Sequence, residues 1–523
     1  MSEKKIEKNM ILCCVIFAVY AVITLIGAAN HEMWFDEAQA WTLARDNDIA
    51  GIFRQLGYEG HPPLWYFILY IPSHAGLPCT VMPYISWFIT AIAGAIVMFK
   101  APFHIAARSA ILFSGGFLFI NSVMTRVYCL INLIAVLIAI LYPKRKEHPV
   151  LYGFLIALMA NTHICMSGFI GIIGIFMLID LFKDFKSKSV KQKAGEFIGL
   201  GIAGIGVLTM VIPLLHSLSL NSMTNRSTVD FRRVVSAFIE SFLNVSGSII
   251  SYGDYSGTVI GMALIILSGF IAAVFVAMLI VMRHKTRPFL MLLFFWIFYT
   301  ITSEVFWLTI PNRALVFMYM YFIIAWIAEN EPENNASEIW TKLNLKSDTK
   351  AIKKLLDIAE KLDRNFGRSY IAAITVIAFM SMPAGAYYLF TDYAKDFCPS
   401  ETAAEYIRNN FPEDSIFITD FENCPQIAAY LPEYKFYTLT FERYYTYASH
   451  EVYDDLVPDY EHIYNDLKDH ENVYRLFTNT DIDYITQNKN VVYIIRDGMY
   501  YGVNSLYIEI SEFDLEKEIA SFI

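Results

Sequence analysis

NHEMWFDEAQAWTLARDNDIAGIFRQLGYEGHPPLWYFILYI, residues Asn30–Ile71, follows the first long apolar run, and the rest of the chain is arranged around it. It carries an acidic pair, Asp36 and Glu37, and a histidine, His61, directly before two prolines. Its last apolar run, Leu64–Ile71, is much shorter than the about 20 residues that a membrane helix needs. We therefore expect a re-entrant or interfacial platform that holds these three side chains at a membrane surface.

The same segment contains signals for three short helices. The first begins at Asp36, with Gln39 three residues on, which resembles a capping box. The second begins at Asn47 or Asp48, and Pro62-Pro63 suit the first turn of the third. The apolar residues of the second helix follow the i, i+3, i+4, i+7 spacing of an amphipathic helix; they are Ile49, Ile52, Phe53 and Leu56.

Composition places the chain in a membrane. Its 523 residues are 56% apolar and only 17% charged, unlike an ordinary soluble domain. The fold class that we predict is an α-helical polytopic membrane protein. The first apolar run exceeds the about 7–15 residues of a signal-peptide core, so we interpret it as a retained anchor. Eleven predicted spans lie near 10–28, 82–99, 109–125, 127–142, 149–161, 164–181, 196–215, 257–282, 289–309, 314–328 and 369–390.

Basic residues predict the orientation of these spans. With the N-terminus in the cytoplasm, 24 Lys and Arg fall on the cytoplasmic side and seven on the outer side before the tail. Such an excess of positive charge marks cytoplasmic loops. The Asn30–Ile71 segment then lies outside, and all seven outer basic residues are arginine, the side chain best suited to grip phosphate.

The C-terminal tail differs sharply from the membrane part. Residues 391–523 hold 26 acidic and 9 basic residues, a net charge of −17. Alternating helix and strand patterns predict a small extracytoplasmic α/β domain. Helices are expected at 401–410 and 452–469, and strands at 415–419, 435–439, 491–495 and 506–510. Cys398 and Cys424 are candidates for a disulfide there, which the sequence alone leaves open.

These patterns divide the chain into four parts. They are a catalytic membrane domain, 1–328, with a first outer loop at 30–81; a cytoplasmic connector, 329–368; a last span, 369–390; and the tail, 391–523. The polar outer loop 217–256 is a candidate lid. The tail lacks a glycine-rich phosphate loop and metal-spaced ligands, so we assign it no catalysis. No basic face with interleaved aromatic residues indicates nucleic-acid binding.

Asp36 and Glu37 are the strongest candidates for chemistry. A carboxylate at the water–lipid boundary can act as general base for an acceptor hydroxyl. The structural alternative is a helix cap, in which Asp36 accepts from free backbone N–H groups. The two roles are compatible, and the sequence does not choose between them.

Further polar residues open predicted spans at the outer face. Each has a structural alternative: an arginine there can simply reach lipid headgroups, and a histidine can be an ordinary structural one. Glu304 stands inside the outer half of a span, where an ionisable group is costly unless paired, and Arg313 is its plausible partner. The full set at this face is Asp36, Glu37, His61, Arg126, Tyr128, His163, Glu304 and Arg313. A carboxylate with several cations suits an amphiphilic phosphate substrate.

The order of these motifs resembles a known family. An Asp-Glu pair after the first span, then His-Pro-Pro-Leu-Trp-Tyr, Thr125-Arg-Val-Tyr128, Asn161-Thr-His163 and Pro311-Asn-Arg313, is similar to membrane glycosyltransferases of the C-type fold. These include the aminoarabinose transferases, the protein O-mannosyltransferases and the bacterial dolichyl-phosphate-mannose-protein mannosyltransferase-like enzymes. The resemblance covers about residues 1–328.

That resemblance implies inverting transfer of a sugar from a polyprenyl-phosphate donor. It implies that Asp36 is the base and that Arg126 and Arg313 hold the donor phosphate. His61 stands where the aminoarabinose transferases carry a lysine, so its phosphate contact would depend on pH. No second acidic residue follows Arg126, so we predict no cofactor, and metal use is not supported.

Two other functions stay open. A transporter or flippase for a lipid-linked sugar would need charged residues near the middle of the bilayer or paired repeats, and the sequence shows neither apart from Glu304. A lipid-linked glycan polymerase or ligase would not require the Asp-Glu pair. The sugar is undetermined, as is the acceptor, which can be a glycan, a lipid or a protein.

Overall fold

The computed structural model describes most of the chain. The described residues are 3–59, 61–220, 258–305, 311–331, 361, 369–394, 398, 400–419, 424–438, 442–447, 460–479, 492–496 and 506–512. Most of the candidate lid and most of the predicted cytoplasmic connector lie outside these residues.

Helices dominate the described part of the chain. They are α1 (Glu3–Asn30), α2 (Phe35–Asp46), α3 (Ile49–Glu59), α4 (Leu64–His74), α5 (Met82–Lys100), α6 (Ile105–Leu112), α7 (Tyr128–Leu141), α8 (Pro149–Ala160), α9 (Ser167–Phe182), α10 (Val190–Leu220), α11 (Thr258–Met282), α12 (Thr286–Val305), α13 (Pro311–Glu329), α14 (Ser369–Ala394), α15 (Ser400–Asn410), α16 (Cys424–Ala428) and α17 (Tyr460–Leu467).

The prediction of a polytopic membrane protein is confirmed. Among the described residues, five helical stretches are long and apolar enough to cross a membrane: Glu7–Asn30, Cys79–Lys100, Ile164–Phe182, Val190–Ser217 and Tyr370–Ala394. Five shorter apolar helices accompany them: Tyr128–Lys144, Pro149–Ala160, Ile266–Met282, Thr286–Thr302 and Leu315–Glu329.

The predicted span at 109–125 is wrong as a continuous helix. Helix α6 ends at Leu112, and a π-helical turn occupies Gly116–Ile120 before the chain enters turns. The break lies close to where α14 crosses this segment. The two backbones approach so closely there that a Cβ on Gly385 would lie 2.5 Å from the Gly115 Cα. The Gly115 N–H donates to the Ser381 hydroxyl of α14 across 3.1 Å. The broken segment delivers residues 121–127 to the end of the bundle as turns rather than as helix.

The first outer segment folds as three short helices, but its first cap differs from the prediction. Helix α2 starts at Phe35, and the Glu37 carboxylate, not the Gln39 amide, accepts from the Trp34 N–H at 3.0 Å. The second prediction is confirmed, since the Gly51 N–H donates to Asp48 Oδ1 at 2.7 Å. Helix α4 is only 11 residues long, as its short apolar run requires.

The tail contains a six-stranded sheet in the order β3-β2-β1-β4-β6-β5. Its strands are β1 (Ile416–Thr419), β2 (Lys435–Thr438), β3 (Arg443–Tyr444), β4 (Val473–Asn479), β5 (Val492–Arg496) and β6 (Leu506–Glu512). The four predicted strands are present, whereas β3 and β4 were not predicted. Strand β1 pairs in parallel with β2 and β4, and β6 runs antiparallel to its neighbours. Helix α17 packs Ile463 and Leu467 on one face of the sheet.

The tail docks on the first outer segment. The Met33 N–H donates to the Tyr430 hydroxyl at 3.0 Å, and Arg45 donates to the Ala428 carbonyl at 3.1 Å. Both contacts place the sheet domain at the same end of the bundle as Asp36. Cys398 is a free thiol beside the Ser400 hydroxyl, and the side chain of its candidate partner, Cys424, lies outside the described part of the structure.

The opposite end of the bundle is fastened by a charged cluster around Asp180. Arg287 donates to both carboxylate oxygens at 2.6 and 2.7 Å. Arg145 lies at 3.5 Å and Lys146 at 3.3 Å from the same carboxylate. Helix α9 runs from beside His163 to this cluster, so it connects the two ends directly.

Candidate functional site

Asp36 and Arg126 form an ion pair at the end of the bundle that carries the tail. Arg126 Nη1 lies 3.0 Å from Asp36 Oδ2 and donates to the Asp36 backbone carbonyl at 2.9 Å. The side chains are 32% exposed for Asp36 and 16% exposed for Arg126. The turn that follows the broken helix α6 brings Arg126 to the first turn of α2, and its partial exposure leaves the guanidinium accessible to a ligand.

Glu37 has the opposite environment, although it is the next residue. Its side chain is fully buried, and its carboxylate accepts from the N–H groups of Trp34, at 3.0 Å, and Thr125. The imidazole of His31 lies 3.1 Å away. Glu37 therefore ties the start of α2 to the residue before Arg126, and its burial keeps it from meeting a substrate.

His31 continues this buried network to the last membrane helix. Its Nδ1 lies 2.9 Å from Asp392 Oδ2, and its Nε2 faces Glu37. Burial opposes the charged imidazolium, but the two carboxylates outweigh it and raise the pKa of His31 to about 10. His31 is thus a buried cation between two anions at neutral pH. Sequence reasoning missed it, although His31 and Asp392 stand at the same predicted face as Asp36.

A second buried carboxylate stands behind Asp36. Glu59, at the end of α3, accepts from the Gln39 amide at 2.6 Å and from the Tyr66 hydroxyl at 2.8 Å. Burial and then the Glu59 charge raise the pKa of Tyr66 well above its ordinary value, while the guanidinium of Arg126 lowers it. Tyr66 therefore stays a hydrogen-bond donor. The residues Glu59, Gln39 and Tyr66 were not among the predicted site residues.

Three predicted residues gather next to Glu59. The rings of His61 and His163 lie 6.4 Å apart, and those of His163 and Tyr128 lie 5.8 Å apart. His61 Nδ1 is 3.0 Å from the Glu59 carbonyl, so it donates and carries the proton. His163 Nδ1 accepts from the Cys165 N–H at 3.2 Å, which leaves its proton on Nε2 when the ring is neutral.

Six predicted site residues therefore fall into two groups of contacting residues. The contacts run from Glu37 through Thr125 and Arg126 to Asp36, and from Glu59 through His61 and His163 to Tyr128. Glu304 lies in α12 and Arg313 in α13, but their side chains are outside the described part of the structure. Within the described residues, no group of three His, Cys, Asp or Glu is placed to hold a metal ion.

No protein-family model matches the sequence, and no curated protein is significantly similar to it. Among solved structures, the crystal structure of ArnT from Cupriavidus metallidurans bound to undecaprenyl phosphate is similar to this chain, with a TM-score of 0.49. The two share 13% identity, and the match covers 96% of this chain and 98% of that one. At this level the similarity does not assign an activity, so function must be inferred from the chain's own residues.

Proposed function

We propose that this protein is an inverting membrane glycosyltransferase of the C-type fold. It moves a sugar from a polyprenyl-phosphate donor to an acceptor hydroxyl at the outer face of the membrane. The observation that carries the proposal is the partly exposed Asp36–Arg126 pair, 3.0 Å apart at the end of an apolar helix bundle. A base beside a phosphate-binding cation is the minimum that displacement of a sugar phosphate requires.

The reaction uses the two side chains in complementary ways. The acceptor oxygen attacks the anomeric carbon, and the bond from that carbon to the phosphate oxygen breaks. Asp36 takes the acceptor proton, and the polyprenyl phosphate leaves with the bonding electron pair. Arg126 stabilises the negative charge that develops on the departing phosphate.

The ion pair itself suggests how the donor binds to the site. Without donor, Arg126 holds the Asp36 carboxylate and its backbone carbonyl. The phosphodiester of the donor competes for the same guanidinium, because its two unesterified oxygens share a negative charge and can accept paired hydrogen bonds. Binding of the donor then frees the Asp36 carboxylate to receive a proton, which couples activation of the base to the presence of donor.

The platform helices support a lipid-linked donor. Ile49, Phe53 and Ile71 expose 53%, 37% and 71% of their surface although they are apolar. Short helices with exposed apolar side chains lie in the membrane interface. They therefore hold the Asp36 site at the depth where a polyprenyl phosphate presents its headgroup. The N-in, tail-out orientation predicted from loop charges places this interface on the extracytoplasmic side.

The remaining predicted residues take roles around this centre. We assign His61 and Arg313 to binding of the donor phosphate, and Tyr128, His163 and Glu304 to the substrate pocket. The roles of Arg313 and Glu304 rest on the sequence alone. Glu37 is a positioning residue rather than a second base, because its carboxylate is buried and fully engaged. The acceptor is a glycan, a lipid or a protein, and no cofactor takes part in the proposed step.

The experiment is transfer of radiolabelled sugar from extracted polyprenyl-phosphate sugars by the purified protein, with a membrane fraction as acceptor source. Wild type is compared with Asp36→Asn, Arg126→Gln and Arg313→Ala, with Arg54→Gln as a matched control for loss of an outer arginine. The proposal is supported if wild type and the control transfer label to a new product and the other three variants do not. Full transfer by Asp36→Asn contradicts it.

A transport assay separates the rival function. Reconstituted vesicles that carry a lipid-linked sugar on one leaflet would report flipping without any new product. Flipping that survives Asp36→Asn, together with no transfer from any donor, would assign the protein to transport instead.

A further inference from the structure

A groove runs between α8 and α10 at the end of the bundle opposite the Asp36 site. It has a volume of about 800 Å³. Its mouth is polar and its length is apolar. The polar lining residues are Lys146, Glu147, His148, Lys191 and Gln192, and the main apolar ones are Val150, Leu151, Phe154, Ile198 and Ile202.

Glycines create this groove by letting the two helices touch. A Cβ on Gly153 would lie 2.0 Å from the Gly199 carbonyl oxygen, and one on Gly199 would lie 2.2 Å from the Pro149 carbonyl oxygen. No side chain fits at either position, so the backbones form the contact. Larger neighbours stand beside this contact and become the groove walls.

The walls are exposed in a way that needs an apolar occupant. Leu151, Phe154 and Ile198 leave 50%, 47% and 53% of their surface uncovered by the protein. Adjacent exposed apolar side chains on one groove mark an interaction surface. Both helices are apolar and belong to the membrane bundle, so the material available to cover these walls is an acyl chain.

The mouth selects the charge of the occupant. The Lys146 side chain is 56% exposed, and its ammonium lies 3.3 Å from Asp180 Oδ1. Arg287 already donates to both oxygens of Asp180, so Lys146 keeps donors for another anion. Lys191 stands across the mouth on α10, and Glu147 is the single acid among the described lining residues. Basic pockets between membrane helices favour anionic lipid headgroups.

We propose that this groove is a binding site for an anionic glycerophospholipid. The phosphodiester lies between Lys146 and Lys191, and one acyl chain lies along Leu151, Phe154 and Ile198. The site is separate from the Asp36 centre, since α8 and α9 span the distance between them. It does not depend on the proposed transferase activity.

Native mass spectrometry of the full-length protein tests the proposal, after exchange into detergent with defined lipids. Phosphatidylglycerol is compared with phosphatidylcholine of identical acyl chains and with a polyprenyl phosphate. We expect phosphatidylglycerol to be retained preferentially. Lys146→Gln/Lys191→Gln should weaken it by roughly fivefold for each lysine. Lys183→Gln/Lys186→Gln, two exposed lysines outside the groove, is the matched control and should bind as wild type.

A second variant probes the acyl chain without changing charge. Ile198→Trp fills the groove from an exposed wall position, so it should reduce retention of phosphatidylglycerol while the melting temperature stays near that of wild type. Equal retention of both phospholipids would overturn the proposal. So would wild-type binding of phosphatidylglycerol in both groove variants, or a loss of polyprenyl phosphate rather than of phosphatidylglycerol in those variants.

Discussion

His31 and Asp392 form a fully buried hydrogen-bonded ion pair, with Nδ1 2.9 Å from Oδ2. His31 directly follows the first membrane helix, and Asp392 lies near the end of the last described one, 361 residues later. The same imidazole contacts Glu37, whose carboxylate holds the backbone next to Arg126. This network therefore closes the bundle at the Asp36 end and fixes the position of Asp36 relative to Arg126.

Removing one anion from this network should destabilise the protein strongly. Asp392→Asn leaves the His31 cation with a single carboxylate, and breaking a buried pair typically costs about 3–5 kcal/mol. We expect a clear fall in melting temperature, measured by intrinsic fluorescence in detergent. Glu433→Gln is the control, because its pair with Arg408 is exposed and such pairs contribute about 0–1 kcal/mol. Equal melting temperatures for the two variants would contradict this account.

The same network predicts a dependence of stability on pH. The pKa of His31 is raised from 6.5 to about 10 in the folded protein. A raised pKa stabilises the fold fully below the unfolded value and loses that contribution as pH rises toward the folded value. Stability should therefore decline between about pH 6.5 and pH 10. Melting temperatures across this range should fall more steeply for wild type than for His31→Gln, and parallel curves would exclude the role of His31.

Asp36→Asn should separate chemistry from binding. The variant keeps its shape but loses the proton acceptor, so transfer should fall by about 10²–10⁴-fold. Its melting temperature should stay near that of wild type because the side chain is partly exposed. Donor affinity should be equal or higher, since Asp36 no longer competes for Arg126. A scintillation binding assay with labelled donor measures this, and Arg126→Gln should bind more weakly in the same assay.

Glu37→Gln should lower stability, whereas Asp36→Asn should lower transfer and leave stability near that of wild type. The amide cannot accept from both backbone N–H groups and also balance the His31 cation, so the buried network loses its central anion. We expect a loss of stability similar to that of the Asp392→Asn variant, about 3–5 kcal/mol. Activity should fall only in proportion to the loss of folded protein. A folded, fully stable Glu37→Gln that lacks transfer would instead restore Glu37 as a catalytic residue.

Tyr66→Phe tests the carboxylate behind the site. The change removes the hydroxyl that donates to Glu59 at 2.8 Å, and hydrogen bonds to charged groups contribute about 1.5–3 kcal/mol. We expect a moderate fall in melting temperature, with Tyr84→Phe, an exposed tyrosine, as the unaffected control. Equal melting temperatures for these two variants would show that the Tyr66 hydroxyl adds no measurable stability at Glu59.

Local features of the sequence were enough to predict much of the fold. Apolar run length predicted a polytopic membrane protein, because the bilayer sets the length of its helices. The caps and prolines of the first outer segment predicted α3 and α4, which depend on contacts within a few residues. Most of the described tail strands were also predicted, because their alternating pattern is local in the sequence. Topology alone also predicted that Asp36, His61, Arg126, Tyr128 and His163 lie at one face. The structure pairs Asp36 with Arg126 and brings the rings of the other three together, and their roles stay predictions.

Tertiary structure decided what each of those residues can do. Asp36 and Glu37 are adjacent and chemically alike, yet one is partly exposed and the other is buried against His31 and Thr125. Likewise, the apolar run at 109–125 looks continuous, but its helix ends at Leu112, next to the point where α14 crosses at Gly115. A carboxylate's role depends on its solvation and its partners. Those partners come from segments up to 361 residues apart, so no local pattern records them.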